Sequence, residues 1–409
     1  MSANSRSDSL TPVDAALAAL LAAMPSIKDT EFVELRAARG RILAETATAS
    51  CNVPPQDNSA MDGYAVRRAD VKNTPTQLRV SQRIIAGATG AQLASGEAAR
   101  IFTGAPVPAG ADAVVMQENT QLEGEVVTVL QSAAAGENLR RQGEDIAANT
   151  KLFPAGHRLL AQDLAVLAAT GIEQVRVTRR LRVALLTTGN ELVQPGTNLK
   201  PGQIYNSNFY ALSGLLDALN VEVIDLGIVA DSLEGTRTAL EDAAAQADCV
   251  ITTGGVSVGE EDHVKPAVEA LGELQLWKLA IKPGKPFAFG TIGKSQFFGL
   301  PGNPVSSFVT FVLLVRPCLL QMQGCQNIKP LVVDLPAAFE RIELSERQEY
   351  LRVVLDTTNE GQSLVPYVNQ SSGVTASLSG ADGLAIVPAH TKIAKGDKLG
   401  FIAFSELLY

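Results

Sequence analysis

Residues 181–191 read Leu-Arg-Val-Ala-Leu-Leu-Thr-Thr-Gly-Asn-Glu: an apolar run without alternation, then a glycine turn, then a carboxylate. A strand with one wet face alternates apolar and polar residues. A run that is apolar throughout reads as a parallel strand covered on both faces. Two more strand-like runs end in glycine turns, although the first, 221–226, carries Glu222 and Asp225. Residues 221–226 run into Gly227-Ile-Val-Ala-Asp231, and residues 249–253 into Gly254-Gly255-Val-Ser257-Val-Gly259-Glu-Glu-Asp262. Helical segments at 208–219, 233–246 and 265–271 fill the intervals. This alternation predicts a doubly wound, mainly parallel α/β sheet. Ligands of such sheets sit beyond the carboxyl ends of the strands. Here three successive strand ends each deliver a glycine turn and a carboxylate.

Outward from this segment, 286–289 and 296–299 form a hairpin-like pair, and a long helix begins near residue 304. Its apolar stretch, 308–315, stops at Arg316-Pro317, short of the roughly 18–20 residues a membrane span needs. Toward the N-terminus, Val13, Ala16, Leu17, Leu20, Leu21 and Met24 share one helix face. Between residues 51 and 142, short β-type runs (78–84, 99–102, 113–116, 126–130) are broken by Gly and Pro, as in a β-rich insert. A helix around 163–170 follows. After Lys329-Pro330 the texture is again β, with breaks at Gly380, Gly383 and Gly396.

Composition narrows the function. With 409 residues and a net charge of −9, the chain is a poor general binder of nucleic acid or anionic membranes. Any anionic ligand must be held by a local cluster. The four cysteines show no C-x-x-C pair and no zinc spacing, which suits reduced thiols in the cytoplasm. The first residues are polar and carry no apolar signal core.

Four motifs carry candidate chemistry. The loop at Thr252-Thr-Gly254-Gly255-Val-Ser257 lets backbone N–H groups approach an anion at a helix start; the bland reading is a tight packing turn. The same stretch fits the G-x-S-x-G nucleophile elbow, but none of His157, His263 and His390 stands where a Ser–Asp–His triad requires it. In Trp277-Lys-Leu-Ala-Ile-Lys-Pro-Gly-Lys285, alternation of Lys278, Ala280 and Lys282 would place two ammonium groups on one strand face. They would form a clamp for phosphate or an oxyanion, with Lys285 beyond the turn. Leu300-Pro301-Gly-Asn303-Pro304 opens the long helix, with Asn303 as N-cap and Pro304 at the first position. In the insert, Asp57-Asn-Ser-Ala-Met-Asp62-Gly-Tyr64, Thr103-Gly-Ala-Pro106 and Arg140-Arg141-Gln-Gly-Glu144-Asp145 are polar loops. Asp62, Glu191 and Asp262 are the kind of oxygen set that brings Mg2+ to phosphates.

Taken together, these motifs resemble the molybdopterin molybdenumtransferase family (MoeA type), whose catalytic module also forms the C-terminal part of gephyrin. The resemblance spans about residues 10–409 and rests on seven ordered motifs, including Gly143-Glu-Asp145 and Thr188-Gly-Asn-Glu-Leu192. It implies an elongated connecting domain (1–50 and 146–180), the insert (51–145), an α/β molybdopterin-binding domain (181–328) and a C-terminal β-barrel (329–409). It further implies a cytoplasmic homodimer in which the insert of one subunit completes the other's site. The implied reaction inserts molybdenum from molybdate into adenylylated molybdopterin and releases AMP with Mg2+. By motif position, Asp62, Glu191, Asp231, Asp262, Lys278 and Lys282 carry catalysis. Thr103, Arg140, Asp145, Gly254, Gly255, Ser257, Lys285, Pro301 and Pro304 bind substrate. Asn190 stands where the family usually has Asp, and Ser232 replaces a common second carboxylate after Asp231. A gephyrin-type dimeric scaffold is one alternative and molybdopterin adenylyltransferase another. The adenylyltransferase is also a candidate partner.

Overall fold

The computed structural model describes residues 10–230, 232–255, 263–358 and 361–407. At its centre lies a six-stranded sheet in the spatial order Glu222–Val229, Arg182–Thr188, Cys249–Thr253, Ser295–Leu300, Pro286–Ile292, Gly272–Lys278. The first four strands are parallel; the last two run antiparallel to their neighbours. Both faces are covered, which accounts for the unbroken apolar runs. Val183, Leu185 and Ile251 point into one core with Leu212, Leu216 and the long helix 304–322. Ala184, Leu186 and Val250 point into the other, with Leu240, Ala243, Ala267 and Val268 from the helices Leu233–Gln246 and Val264–Leu271.

Two expectations are corrected. The apolar segment expected to end at Arg316-Pro317, short of a membrane span, is part of a 19-residue helix from Pro304 to Met322 that passes through a π-type turn at Phe311–Val315. That widened turn lies just before Pro317, where a regular α-turn would clash with the ring. The helix has the length and apolarity of a membrane span, but 89% of it is buried inside the protein, so it is a core helix. The second correction concerns the lysines. Lys278 ends the edge strand Gly272–Lys278, whereas Lys282 belongs to the short strand Ile281–Lys282 in a different sheet, beside Gln348 and Glu349. The intervening residues turn between the sheets, so no single strand face carries both.

The insert is a six-stranded sheet of its own, with apolar clusters on both faces. Its strands Thr76–Ile84, Glu97–Ile101, Ala113–Met116 and Val126–Val129 follow the sequence runs, but Gly63–Val66 was hidden inside a polar loop. That strand is buried throughout. Antiparallel pairs join 30–34 to 174–178 and 47–48 to 151–153, tying the two flanks of the insert together. Helix Val13–Ala23 packs instead on the central core. In the C-terminal sheet, a bridge between Ala337 and Leu364 brings strand Val333–Pro336 back toward Gly361–Pro366.

Candidate functional site

The parallel strand ends converge through close backbone contacts. Gly254 N donates to Leu300 O at 3.1 Å, joining two neighbouring strand tips. Gly254 and Gly255 have positive φ, +84° and +66°. A Cβ on Gly254 would lie 3.0 Å from Thr188 O, and one on Gly255 would run into Val264 Cγ2. Glycine is therefore required by conformation and space together. Gly302 comes within 3.7 Å of Gly254 Cα as measured from its own would-be Cβ, so the Pro301-Gly302-Asn303 turn abuts the glycine loop. Asn208 Nδ2 donates to Gly302 O at 2.7 Å, and Asn206 Nδ2 to Thr187 Oγ1 at 2.8 Å. Asn206 also caps the helix Ser207–Ala218. The Glu191 carboxylate folds back over Gly189, 2.5 and 2.8 Å from where a Cβ there would stand.

Pro301 is buried, and Pro304 opens the helix at its first position. Asn303 is the N-cap residue, but its side chain makes no capping hydrogen bond. Asn208 Oδ1, Ser307 Oγ and Thr310 Oγ1 are buried without a protein partner, so this region holds polar atoms that a ligand or water can satisfy. Gly284 packs against the same helix: a Cβ there would meet Thr310 Oγ1 at 2.5 Å. The turn that presents Lys285, an exposed side chain, is thereby docked on the helix that Pro304 begins. Lys278 is exposed as well.

Beside this turn lies a cleft of about 450 Å3 lined by Lys282, Arg341, Glu349, Arg352, Gln370 and Ser371, among others. Arg341 and Arg352 were missed in the sequence. The signal for Arg352 was a single charge inside the apolar run Tyr350-Leu-Arg-Val-Val354; Arg341, in Phe339-Glu-Arg-Ile-Glu343, had none. Arg352 is 1% exposed and donates to Ser377 Oγ at 3.1 Å and Ser371 O at 3.1 Å. Its hydrogen-bond partners among the described residues are all neutral, and burial lowers its pKa from the ordinary arginine value. Glu349 is paired with Arg341 and with Lys282. Lys282, Arg341 and Arg352 against the carboxylates of Glu340 and Glu349 leave the cleft lining with one net positive charge, a setting for an anion.

The insert contributes a second group. Asp62 Oδ1 accepts from both Thr103 N and Thr103 Oγ1, each at 2.8 Å. These bonds, with the nearby Arg100 charge, hold the Asp62 carboxyl below its ordinary pKa. Arg140 pairs antiparallel with Asn58, and Asp145 N donates to Val53 O. Asp57 is bound by Arg141 and Gln142, a loop brace. Among the described residues, no hydrogen bond, ion pair or apolar cluster joins the insert, 51–145, to the strand-end loops.

The predicted residues thus fall into two groups within one chain. Asp62, Thr103, Arg140 and Asp145 are on the insert; Glu191, Gly254, Gly255, Pro301, Pro304, Lys278, Lys282 and Lys285 are on the α/β side. Asp231, Ser257 and Asp262 lie outside the described residues. So does most of the nucleophile-elbow motif. Among the described residues no three His, Cys, Asp or Glu side chains gather as a metal site; Asp262, expected to act with Asp62 and Glu191, lies outside them. His157 is bound to Asp163 at 2.8 Å, a local brace at a helix start.

Three family models match this arrangement in order: the MoeA N-terminal region (domain I and II) over residues 11–171, a "probable molybdopterin binding domain" over 184–321, and the MoeA C-terminal region (domain IV) over 334–404. A Haemophilus influenzae protein named molybdopterin molybdenumtransferase is 44% identical over 319 residues, 78% of this chain and 79% of that one. This chain belongs to the molybdopterin molybdenumtransferase family. A molybdopterin molybdenumtransferase of a Nostoc species is 38% identical and covers 92% of this chain and 89% of its own. Among solved structures, a molybdopterin biosynthesis MoeA protein from Pyrococcus horikoshii matches at 31% identity with a TM-score of 0.83. It covers 97% of this chain and 100% of its own. The family likeness thus spans the insert, the central sheet and the C-terminal strands alike.

Proposed function

We propose that the protein acts in molybdenum cofactor biosynthesis, inserting molybdenum from molybdate into adenylylated molybdopterin with release of AMP. The observation that carries this reading is the adjacency of the glycine-lined strand ends and a cleft lined by Lys282, Arg341 and Arg352. Glycine-lined strand ends suit the phosphates of a pterin nucleotide, because backbone N–H groups reach an anion where no side chain intervenes. The cleft with Lys282, Arg341 and the buried Arg352 suits an oxyanion, whose charge offsets that of the guanidinium. Lys278 and Lys285 add cations at the rim. The lysines act from separate elements rather than as a pair on one strand.

The insert acts in trans. Asp62, Thr103, Arg140 and Asp145 have no link to the strand-end loops of their own chain among the described residues, which supports a homodimer with a shared site. Mg2+ is commonly held by one or two carboxylates together with substrate phosphates rather than by a complete protein cage. Glu191, with Asp62 of a second subunit, suits that mode. The ion's contribution would be to neutralise charge on the leaving phosphate. The circuit of C-terminal strands supports the barrel reading, and the location is cytoplasmic. A molybdopterin adenylyltransferase, which would make the substrate, is the partner this chemistry implies.

Reconstitution tests the reading. Purified protein is given adenylylated molybdopterin, molybdate and Mg2+, and AMP release is followed alongside molybdenum incorporation. We expect the two to rise together; AMP release that ignores molybdate would refute the coupling. Mixing Asp62→Asn with Glu191→Gln protein should restore part of the activity, because a mixed dimer then contains one intact site.

A further inference from the structure

We propose that Arg100 is the positioning residue that fixes the Asp62–Thr103 pair, clamping the two chain segments that carry it. The functional consequence rests on the role given to Asp62 above; the geometry does not. Arg100 lies in strand Glu97–Ile101, directly opposite Tyr64 in antiparallel register. Its Nη1 donates to Gly63 O at 3.1 Å, and Gly63 follows Asp62 in the chain. Its Nη2 donates to Gln117 Oε1 at 2.7 Å, while Gln117 N donates to Asp62 O at 3.1 Å. The guanidinium carbon stands 5.2 Å from the Tyr64 ring centre and 4.7 Å from that of Phe102, the residue before Thr103. One side chain thus touches the residues flanking both members of the pair.

Asp62 and Thr103 are themselves exposed, so burial does little to hold them. Their two mutual hydrogen bonds need both segments at a fixed separation. A planar fork with several donors that also stacks on rings can set that separation; an ammonium on a flexible stem cannot. Arg83 serves as the contrast. It stacks on the same Phe102 ring at 5.0 Å, yet it has no hydrogen bond to either segment among the described residues. The two arginines, Tyr64 and Phe102 also border an open pocket of about 540 Å3. From that border Arg100 donates to Gly63 and to Gln117.

The experiment compares Arg100→Lys, Arg100→Gln, Gln117→Leu and Arg83→Gln in the full chain. The Thr103 amide, which donates to Asp62, is followed by its NMR shift and hydrogen exchange, and kcat and KM are measured alongside. We expect Arg100→Gln to lose Thr103 protection and to lower kcat by about tenfold to a hundredfold, as a misplaced catalytic group does, with KM changed much less. Arg100→Lys should fail to rescue either readout. Gln117→Leu should weaken the Thr103 signature partially even if the arginine variants prove unstable, and Arg83→Gln should leave it unmoved. In an Asp62→Asn background, Arg100→Gln should add no further loss of kcat. Thr103 protection as in the wild type in both Arg100→Lys and Gln117→Leu would overturn the proposal, and so would a fully additive loss in the double variant. Full turnover by Asp62→Asn alone would instead sink the role given to Asp62, while the Thr103 signature still decides the positioning.

Discussion

Lys282 Nζ lies 3.3 Å from Glu349 Oε1, and the same carboxylate accepts from both terminal nitrogens of Arg341. The pairing follows from strand register, since Lys282 sits opposite Glu349 where strand Ile281–Lys282 joins the C-terminal sheet. Glu349 is 2% exposed and joins the α/β segment to the last third of the chain. Burial opposes its ionisation, but bonds from Arg341 and Ser345 and the charges of Arg341 and Lys282 outweigh that and hold its carboxyl below the ordinary value. A depressed carboxyl stabilises the fold above its unfolded pKa and loses that contribution as pH falls through the folded one. We expect Glu349→Gln to cost about 1–3 kcal/mol at neutral pH, the worth of hydrogen bonds to a charged group. It should also flatten the acid limb of the stability curve in urea titrations. An acid limb identical to the wild type would count against this assignment.

Arg352 should matter more to ligand binding than to folding. Its charge is disfavoured by burial, so Arg352→Met removes a strained cation while also releasing the Ser371 carbonyl. We expect molybdate affinity to drop by about tenfold or more, from the loss of a charge-assisted contact. Calorimetric titration beside a thermal melt separates the two effects; unchanged affinity would remove Arg352 from the oxyanion cleft.

Gly255→Ala tests the glycine loop. The new methyl must occupy positive φ and collide with Val264 Cγ2. Strain and overpacking of this kind cost about 1–3 kcal/mol. Val264→Ala relieves the collision but opens a cavity of its own, since Val264 is buried, so the double variant should lose less stability than the sum of the two single losses, as urea titrations of all three would show.

Asp248 provides a control away from the chemistry. It accepts from Arg179 Nη1 and Nη2 at 2.8 and 2.7 Å and from Arg182 N at 2.8 Å. Burial would raise its carboxyl pKa, but the Arg179 and Arg182 contacts prevail and lower it. Asp248→Asn should therefore destabilise the protein by roughly 2 kcal/mol at neutral pH, within the range for bonds to charged groups. That difference should shrink as pH falls into the carboxylate range. Activity well below the melting temperature should stay unchanged.

Asp62→Asn should do the reverse. The side chain is exposed, so the melting temperature should hold while turnover falls sharply. A chelator should abolish AMP release and added Mg2+ restore it. Undiminished turnover in chelator would rule out the metal requirement.

Local order was legible in the chain itself. The runs at 182–187 and 249–253 read as strands buried on both faces, and they are such strands in the central sheet. Short-range pattern could not show that residues 279–282 cross between two sheets, because Lys278-Leu-Ala-Ile-Lys282 alternates as well as any single strand. Nor could it show Gly63–Val66 inside a polar loop, or a helix running on through Pro317. Arg352 and Glu349 reach the cleft only because strand Gln348–Thr358 folds back beside Lys282, nearly seventy residues distant in sequence. Periodicity is a property of neighbouring residues, and so the sequence alone determined the strands and helices whose burial repeats along the chain, such as 182–187 and 249–253. Which charges meet depends on contacts between distant segments, and only the tertiary structure decided that.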